Sequence, residues 1–484
     1  MNINWKFIIR VIGFMLVLES LFLFLSAGVA CYFQGPDVPA FIFSATLSLL
    51  VGTGLVLSAG FRKKNNIIGK RESYICVAFC WITFALVGAL PIYLSGICSG
   101  FTDAFFEATS GITTTGASIL SGIDKIPKGL LFWRSIIQWL GGIGIVVFFV
   151  ALLPLLGGGA AQLFDTESTG LTHDKFRPRV NQMAKRLFGM YVLLTAILIG
   201  LLGLGPMGWF DAVCHGFTTI STGGFSTKQA STAHWNSMYI EMVQTVFMII
   251  GSINFTLLYM FLFKGAGKKF FKDEELHWFL LIIAGSALLI GFGLWWGKGY
   301  DGFHSLRSSL FQVVSAITTS GFTTDDFSAW GYAYGILLMF LMVFCGCAGS
   351  TSGGLKIIRG VVLAKNTVNE FNRLIHPRAI IPVRINGIAL SFEVVQRLLA
   401  FVFLYIGIIF VSWGILTLSG VGFEEALVAA VSMSGNVGLG FGELASSYAG
   451  VPPFAKWYLS FLMFVGRLEI FTILILFSPG FWKR

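Results

Sequence analysis

Ala108-Thr109-Ser110-Gly111-Ile112-Thr113-Thr114-Thr115-Gly116-Ala117 ends a helix-length segment too short to cross a bilayer, and the same ending recurs three times. The other copies are Ile220-Ser221-Thr222-Gly223-Gly224-Phe225, Ile317-Thr318-Thr319-Ser320-Gly321-Phe322 and Ser434-Gly435-Asn436-Val437-Gly438-Leu439. In each, a residue suited to a helix start (Asp103, Asp211, Ser308 or Glu425) stands thirteen positions before the last glycine. The glycines Gly116, Gly224, Gly321 and Gly438 fall roughly a hundred residues apart, as in an internal repeat. Such turns, repeated between long apolar segments, predict four loops meeting around one axis. A ring of their carbonyls is what a cation needs to shed its water inside a membrane.

Outward from these turns the chain is apolar. Runs of about 20 residues read as spanning helices. Ten are expected, at roughly 8–31, 38–60, 73–97, 130–155, 186–205, 237–263, 276–297, 332–361, 395–419 and 456–479. Between alternate pairs lie the shorter segments 102–118, 210–226, 306–323 and 423–440, each a helix-capable stretch and a turn. That length fits a re-entrant helix. The expected fold is therefore an all-α membrane protein with ten transmembrane helices and four re-entrant pore helices. An N-terminal hairpin (1–67) precedes four helix–pore loop–helix repeats (68–160, 161–266, 267–375 and 376–484). The repeats face the same way around a central pore, whereas inverted repeats would suggest a rocking transporter.

Charge sets the orientation. Lys and Arg concentrate at 62–71, 175–186, 264–272 and 356–384 and at both ends, all on one side of this topology. The positive-inside rule makes that side, with both termini, cytoplasmic. All four glycine turns then enter from outside. The net charge of +10 reflects this bias and not a nucleic-acid surface. With 56% hydrophobic and only 12% charged residues, no soluble domain is expected. Seven scattered cysteines fit neither a zinc site nor a disulfide framework.

A helix descending from outside points its C-terminal dipole, partly negative, at the membrane centre, which favours a cation. The acids and serine at the other end read as helix caps. Glycine supplies the backbone angles of an extended turn. The hydroxyls of Thr113, Thr114, Ser221, Thr222, Thr318 and Thr319 either ligate an ion or brace the turn.

Two features lie beyond the turns. Cys345-Gly346-Cys347-Ala348-Gly349-Ser350-Thr351-Ser352-Gly353-Gly354 puts ten small residues, four of them glycine, inside an apolar run. They cannot hold a helix, and irregular backbone at that depth must line a cavity or be buried. It reads as a flexible loop obstructing a path, against helix packing through small residues. Arg467 lies within the last apolar run, where a charge usually faces a wet cavity. A pairing with Glu469 is disfavoured, because residues two apart on a helix point apart. Arg134, Gln138 and Asn254 are given no role beyond helix contacts.

These motifs resemble the Trk/Ktr/HKT superfamily of potassium transporters, most closely the TrkH type of bacterial uptake subunit, over essentially the whole chain. Gly349-Ser350-Thr351-Ser352-Gly353-Gly354-Leu355-Lys356 and Gly466-Arg467-Leu468-Glu469 match as well. The resemblance implies K⁺ coordination by oxygens of Thr113, Thr114, Thr115 and Gly116, of Ser221, Thr222, Gly223 and Gly224, of Thr318, Thr319, Ser320 and Gly321, and of Gly435, Asn436, Val437 and Gly438. It implies a gate at Gly346, Gly349, Ser350, Thr351, Ser352, Gly353, Gly354 and Arg467. It further implies a homodimer in a bacterial inner membrane, regulated by a cytosolic TrkA-type nucleotide-binding ring. K⁺ preference over Na⁺ comes from the resemblance, since only Asn436-Val437-Gly438-Leu439-Gly440 keeps part of the tetrameric-channel filter. No organic cofactor, catalytic residue or enzyme activity is expected. The alternative is an H⁺- or Na⁺-coupled symporter, for which Glu469 is the one good mid-membrane carboxylate.

Overall fold

A computed structural model describes residues 3–60, 70–144, 180–379 and 381–482. Residues 62–69 of the first basic stretch, 175–179 of the second, and 145–155 of the 130–155 run fall outside these residues.

The apolar runs form helices with identifiable starts. Helix α1 (Trp5–Tyr32) begins at Asn4, whose side chain accepts from the Phe7 N–H. Helix α2 (Val38–Ala59) has a proline in its first turn, where no amide hydrogen is needed. The two pack closely enough that a Cβ on Gly13 would lie 2.8 Å from the Gly52 carbonyl. Then follow α3 (Lys70–Leu94), the short α4 (Phe101–Ile112), α5 (Lys128–Gly142), α6 (Val180–Gly203) and the short α7 (Trp209–Ile220). Next come α8 (Met238–Ser252), α9 (Phe255–Lys264), α10 (Glu274–Lys298) and the short α11 (Gly302–Ile317). The chain continues as α12 (Tyr332–Val343), α13 (Ile357–Ile375), α14 (Phe392–Leu418), the short α15 (Phe423–Gly435), α16 (Pro453–Arg467) and α17 (Ile470–Phe477).

Among the described residues six helices are long and apolar enough to cross a membrane: α1, α2, α3, α6, α10 and α14. Two further runs are broken rather than straight. α8 and α9 meet at 105°, and α16 and α17 at 118°. The first break has a visible cause. Asn254 leaves the helical path and caps α9, accepting from the Thr256 N–H at 2.9 Å and the Leu257 N–H at 3.2 Å. Asn254→Ala is expected to cost about 1 kcal/mol, the usual price of an N-cap, read as a lower unfolding midpoint of the detergent-solubilised protein. The second break falls at Leu468 and Glu469, where Glu469 has φ +60°. Arg467 is therefore the last residue of α16 and not the middle of a continuous helix. The expected span at 332–361 is also interrupted, by Phe344–Cys345 (β1) pairing in parallel with Leu355–Lys356 (β2).

The four short helices lie where the sequence places them, but their starts differ. α4, α7 and α15 are preceded by Gly100, Gly208 and Gly422, not by the acids. Asp103, Asp211 and Glu425 sit in the first turn, where a carboxylate still complements the dipole. Ser308 lies inside α11, whose cap is Asp301, accepting from the Phe303 and His304 N–H groups at 3.2 Å each. α11 is longer because Asp301 offers a stronger start seven residues before Ser308.

Candidate functional site

Each short helix ends in the same hydrogen-bonded turn. The N–H groups of Thr115, Gly223, Ser320 and Val437 reach back to the carbonyls of Ser110, Thr218, Ser315 and Ser432 at 2.8–2.9 Å. The preceding N–H groups, of Thr114, Thr222, Thr319 and Asn436, bond Gly111, Thr219, Ala316 and Met433. This is the Schellman arrangement, whose left-handed position is normally glycine. Here it is held by Thr114, Thr222, Thr319 and Asn436, all at φ between +53° and +59°. Non-glycine residues in that region cost energy and mark functional sites. Two residues on, Gly116, Gly224, Gly321 and Gly438 are also left-handed, at +83°, +79°, +71° and +82°.

The turns close on one another. A Cβ on Gly116 would lie 2.1 Å from the Gly223 carbonyl oxygen, and one on Gly224 2.0 Å from that of Ser320. On Gly321 it would meet the Val437 oxygen at 2.3 Å, and on Gly438 the Thr115 oxygen at 2.1 Å. Each glycine thus abuts the carbonyl one place earlier in the next turn, and the fourth returns to the first. All four glycines line one cavity of about 100 Å³.

The hydroxyls brace the turns. Thr113 donates to the Thr109 carbonyl at 2.7 Å, Thr318 to Val314 at 2.6 Å and Ser221 to Phe217 at 2.8 Å. The Thr113 and Thr115 hydroxyls lie 2.8 Å apart, as do those of Thr318 and Ser320. The Asn436 amide joins the fourth turn to the first, donating to the Thr115 hydroxyl at 3.0 Å and to the Met463 carbonyl at 2.8 Å.

Away from the cavity, the loop between β1 and β2 packs against the same turns. The Thr222 hydroxyl lies 3.3 Å from that of Thr351, which donates to the Gly251 carbonyl at 2.9 Å. The Gly353 N–H reaches the Thr319 hydroxyl at 3.2 Å, and the Gly346 N–H the Ile317 carbonyl at 2.9 Å. A Cβ on Gly353 would lie 2.5 Å from the Gly435 carbonyl. The Ser352 hydroxyl bonds that of Ser252 at 2.9 Å, and the Ser350 hydroxyl bonds Cys347 at 2.6 Å. The Gly349 carbonyl accepts from the Phe255 N–H at 3.0 Å, and Gly354 is left-handed at φ +62°. Glu275 accepts from the loop at the Ala348 N–H (2.7 Å) and from the first turn of α13 at the Ile358 N–H (3.3 Å). Arg467 donates to the Thr351 carbonyl at 2.7 Å and to the carbonyls of Gly141 and Gly142. Glu469 faces elsewhere and pairs with Arg359 at 2.5 Å, in keeping with the expectation that it does not pair with Arg467.

Two residues first read as helix contacts belong to the site. Arg134 forms a fully buried ion pair with Glu107 at 2.8 Å and donates to the Ser226 carbonyl at 3.2 Å. Glu107 in turn accepts from the Ser118 hydroxyl and the Ile119 N–H, each at 2.9 Å. The pair therefore ties the strand leaving the first turn to the strand leaving the second. Gln138 donates to the Gly223 carbonyl at 2.6 Å and accepts from the Phe225 N–H at 3.1 Å. A signal for them is in the sequence, since Arg134 and Gln138 lie four apart on a largely apolar helix and share one face. A further carboxyl, Glu19 of α1, is fully buried beside Gly88.

Residues 40–484 match the family of cation transport proteins designated TrkH. The chain belongs to the TrkH family. It is 36% identical over 481 residues to the Trk system potassium uptake protein TrkH of Halomonas elongata, covering 99% of each chain. It is 36% identical to the TrkH of Escherichia coli, covering 99% of this chain and 100% of that one. Among solved structures it superposes on the potassium transporter TrkH from Vibrio parahaemolyticus with a TM-score of 0.90 at 35% identity, over 99% of this chain and 100% of that chain. The chain is thus a helical, multi-pass membrane protein of the Trk potassium-uptake family, whose named relatives are transport proteins.

Proposed function

We propose that the chain conducts K⁺ into a bacterial cell through the four glycine turns, acting as one filter built within a single polypeptide. The observation that carries this reading is the closed sequence of contacts from each glycine to the carbonyl of the next turn. Four equivalent carbonyls around an axis replace the water that an ion loses on entry. The oxygens of residues 113–116, 221–224, 318–321 and 435–438 are the proposed ligands. The chain divides accordingly into a hairpin (1–67) and pore repeats at 68–160, 161–266, 267–375 and 376–484, with ten transmembrane and four re-entrant helices. The basic loops and both termini face the cytoplasm of an inner membrane. A potential of 100 mV supplies about 2.3 kcal/mol per charge for uptake.

The loop at 346–354 and Arg467 form the gate. Loop contacts with Thr222 and Thr319, and the guanidinium bond to the Thr351 carbonyl, support this role. A homodimer and a cytosolic TrkA-type ring that binds nucleotides complete the proposed system, with K⁺ as the transported ion. Coupled symport has weaker support. Glu469, the carboxylate it would use, is engaged by Arg359.

The test is flux into proteoliposomes carrying K⁺, Rb⁺ or Na⁺ probes. Saturable K⁺ uptake driven by an imposed potential is expected. Arg467→Ala removes charge-assisted hydrogen bonds worth about 2 kcal/mol and is expected to raise K⁺ flux more than tenfold. Absence of flux from the wild type, from Arg467→Ala and from a chain lacking 349–353 would overturn the pore reading.

A further inference from the structure

One difference among the four turns concerns the residue before the last glycine. Immediately before the last glycine stand Thr115, Gly223, Ser320 and Val437, so the second turn alone has no side chain there. The space is occupied all the same. A Cβ on Gly223 would lie 2.5 Å from both the Cδ and the Oε1 of Gln138 and 2.9 Å from its Nε2. The same amide donates to the Gly223 carbonyl and accepts from the Phe225 N–H, so it brackets Gly224 on both sides. In the first and third turns the equivalent hydroxyls, of Thr115 and Ser320, are held by Thr113 and Thr318 within their own turns. Gln138 is 0% exposed, within a helix that packs against the second turn, so its amide has little freedom to leave.

We infer that Gln138 is a positioning residue for ion selectivity: its carboxamide replaces the missing side chain of the second turn and fixes the Gly223 carbonyl in the ring. This rests on the pore reading above. Among the described residues, Gly223 is the one of the four equivalent carbonyls that accepts a hydrogen bond. Its oxygen therefore divides its electron density between an amide N–H and the cation, and its position is set from outside the turn. Gly223 follows as a consequence, because any larger residue would collide with the amide that does this.

The experiment is a reversal-potential measurement on the full chain in planar bilayers or patched proteoliposomes, with K⁺ on one side and Na⁺ on the other. Gln138→Met keeps the volume and removes both hydrogen bonds. It is expected to remain monodisperse and conducting, with the K⁺/Na⁺ permeability ratio lowered about fivefold, the equivalent of one hydrogen bond of ~1 kcal/mol. Gln138→Ala is expected to lower the ratio similarly, and Gly223→Ser in the Gln138→Ala background to restore part of it by refilling the vacated space. A purely structural role would change expression and melting while leaving the ratio untouched. An unchanged ratio in conducting Gln138→Met, or a double variant no better than Gln138→Ala, overturns the inference and leaves the pore reading intact. A wild type that conducts neither ion removes the pore reading itself.

Discussion

Gly438→Ser is expected to lower potential-driven K⁺ uptake about a hundredfold and to erase most discrimination against Na⁺. Two costs coincide at this residue. The backbone is at φ +82°, which serine adopts only with strain. A Cβ there would also lie 2.1 Å from the Thr115 carbonyl oxygen and 2.8 Å from the Ala117 nitrogen. Neither neighbour is the loose end of a side chain, so backbone must move. What moves is the carbonyl proposed to face the ion, which is why the effect falls on transport before stability. A displacement worth ~3 kcal/mol at the filter corresponds to about a hundredfold. Gly265 is the control, since it too is left-handed, at φ +64°, but has nothing within 4 Å of its would-be Cβ. Gly265→Ala should cost about 1 kcal/mol of stability and leave the K⁺/Na⁺ ratio unchanged. Equal effects of the two substitutions on ion selectivity would show that the ring contact is irrelevant.

Arg134→Met is expected to destabilise the protein by about 4 kcal/mol, because it leaves the Glu107 carboxylate buried without its charge partner. Both side chains of the pair are almost wholly shielded, at 2% and 0% exposure. The guanidinium also stacks on Phe225, 4.1 Å from its ring centre. Removing the charge on both sides, as Glu107→Gln with Arg134→Met, should recover part of the loss, since no unpaired ion remains. Thermal unfolding in detergent, run as a double-mutant cycle, reads this directly. A double variant less stable than either single would contradict the paired-charge account. The same cycle followed by ion flux separates the support of the turns from their chemistry.

The sequence carried the fold at coarse grain and the turns in detail. The apolar runs appear as helices, and the glycine signatures sit at the ends of the four short ones. Their mutual geometry was harder to read, because it depends on contacts between residues a hundred positions apart. Asp103, Asp211 and Glu425 looked like caps because a carboxylate favours both the cap and the first turn. Ser308 misled for a different reason, since Asp301 starts α11 earlier than the repeat would suggest. The interruption at 345–354 was legible because small residues cannot hold a helix. The break after Arg467 was not legible, since Leu468 and Glu469 are ordinary helix formers and tertiary contacts override propensity. Gln138 reads from sequence only as a helix contact, because a glutamine in an apolar helix shows nothing of its partner until the second turn is folded beside it.

The contacts around the ring have a consequence for how this site can change. In an assembly of four identical subunits, one altered codon rewrites every corner together, and intermediate versions do not exist. Here the corners are Gly116–Gly223, Gly224–Ser320, Gly321–Val437 and Gly438–Thr115, each encoded separately. Single corners can drift, be repaired from a neighbouring helix, or be graded one at a time by an experimenter. The four need share no sequence so long as each holds its oxygen at the same distance from the centre.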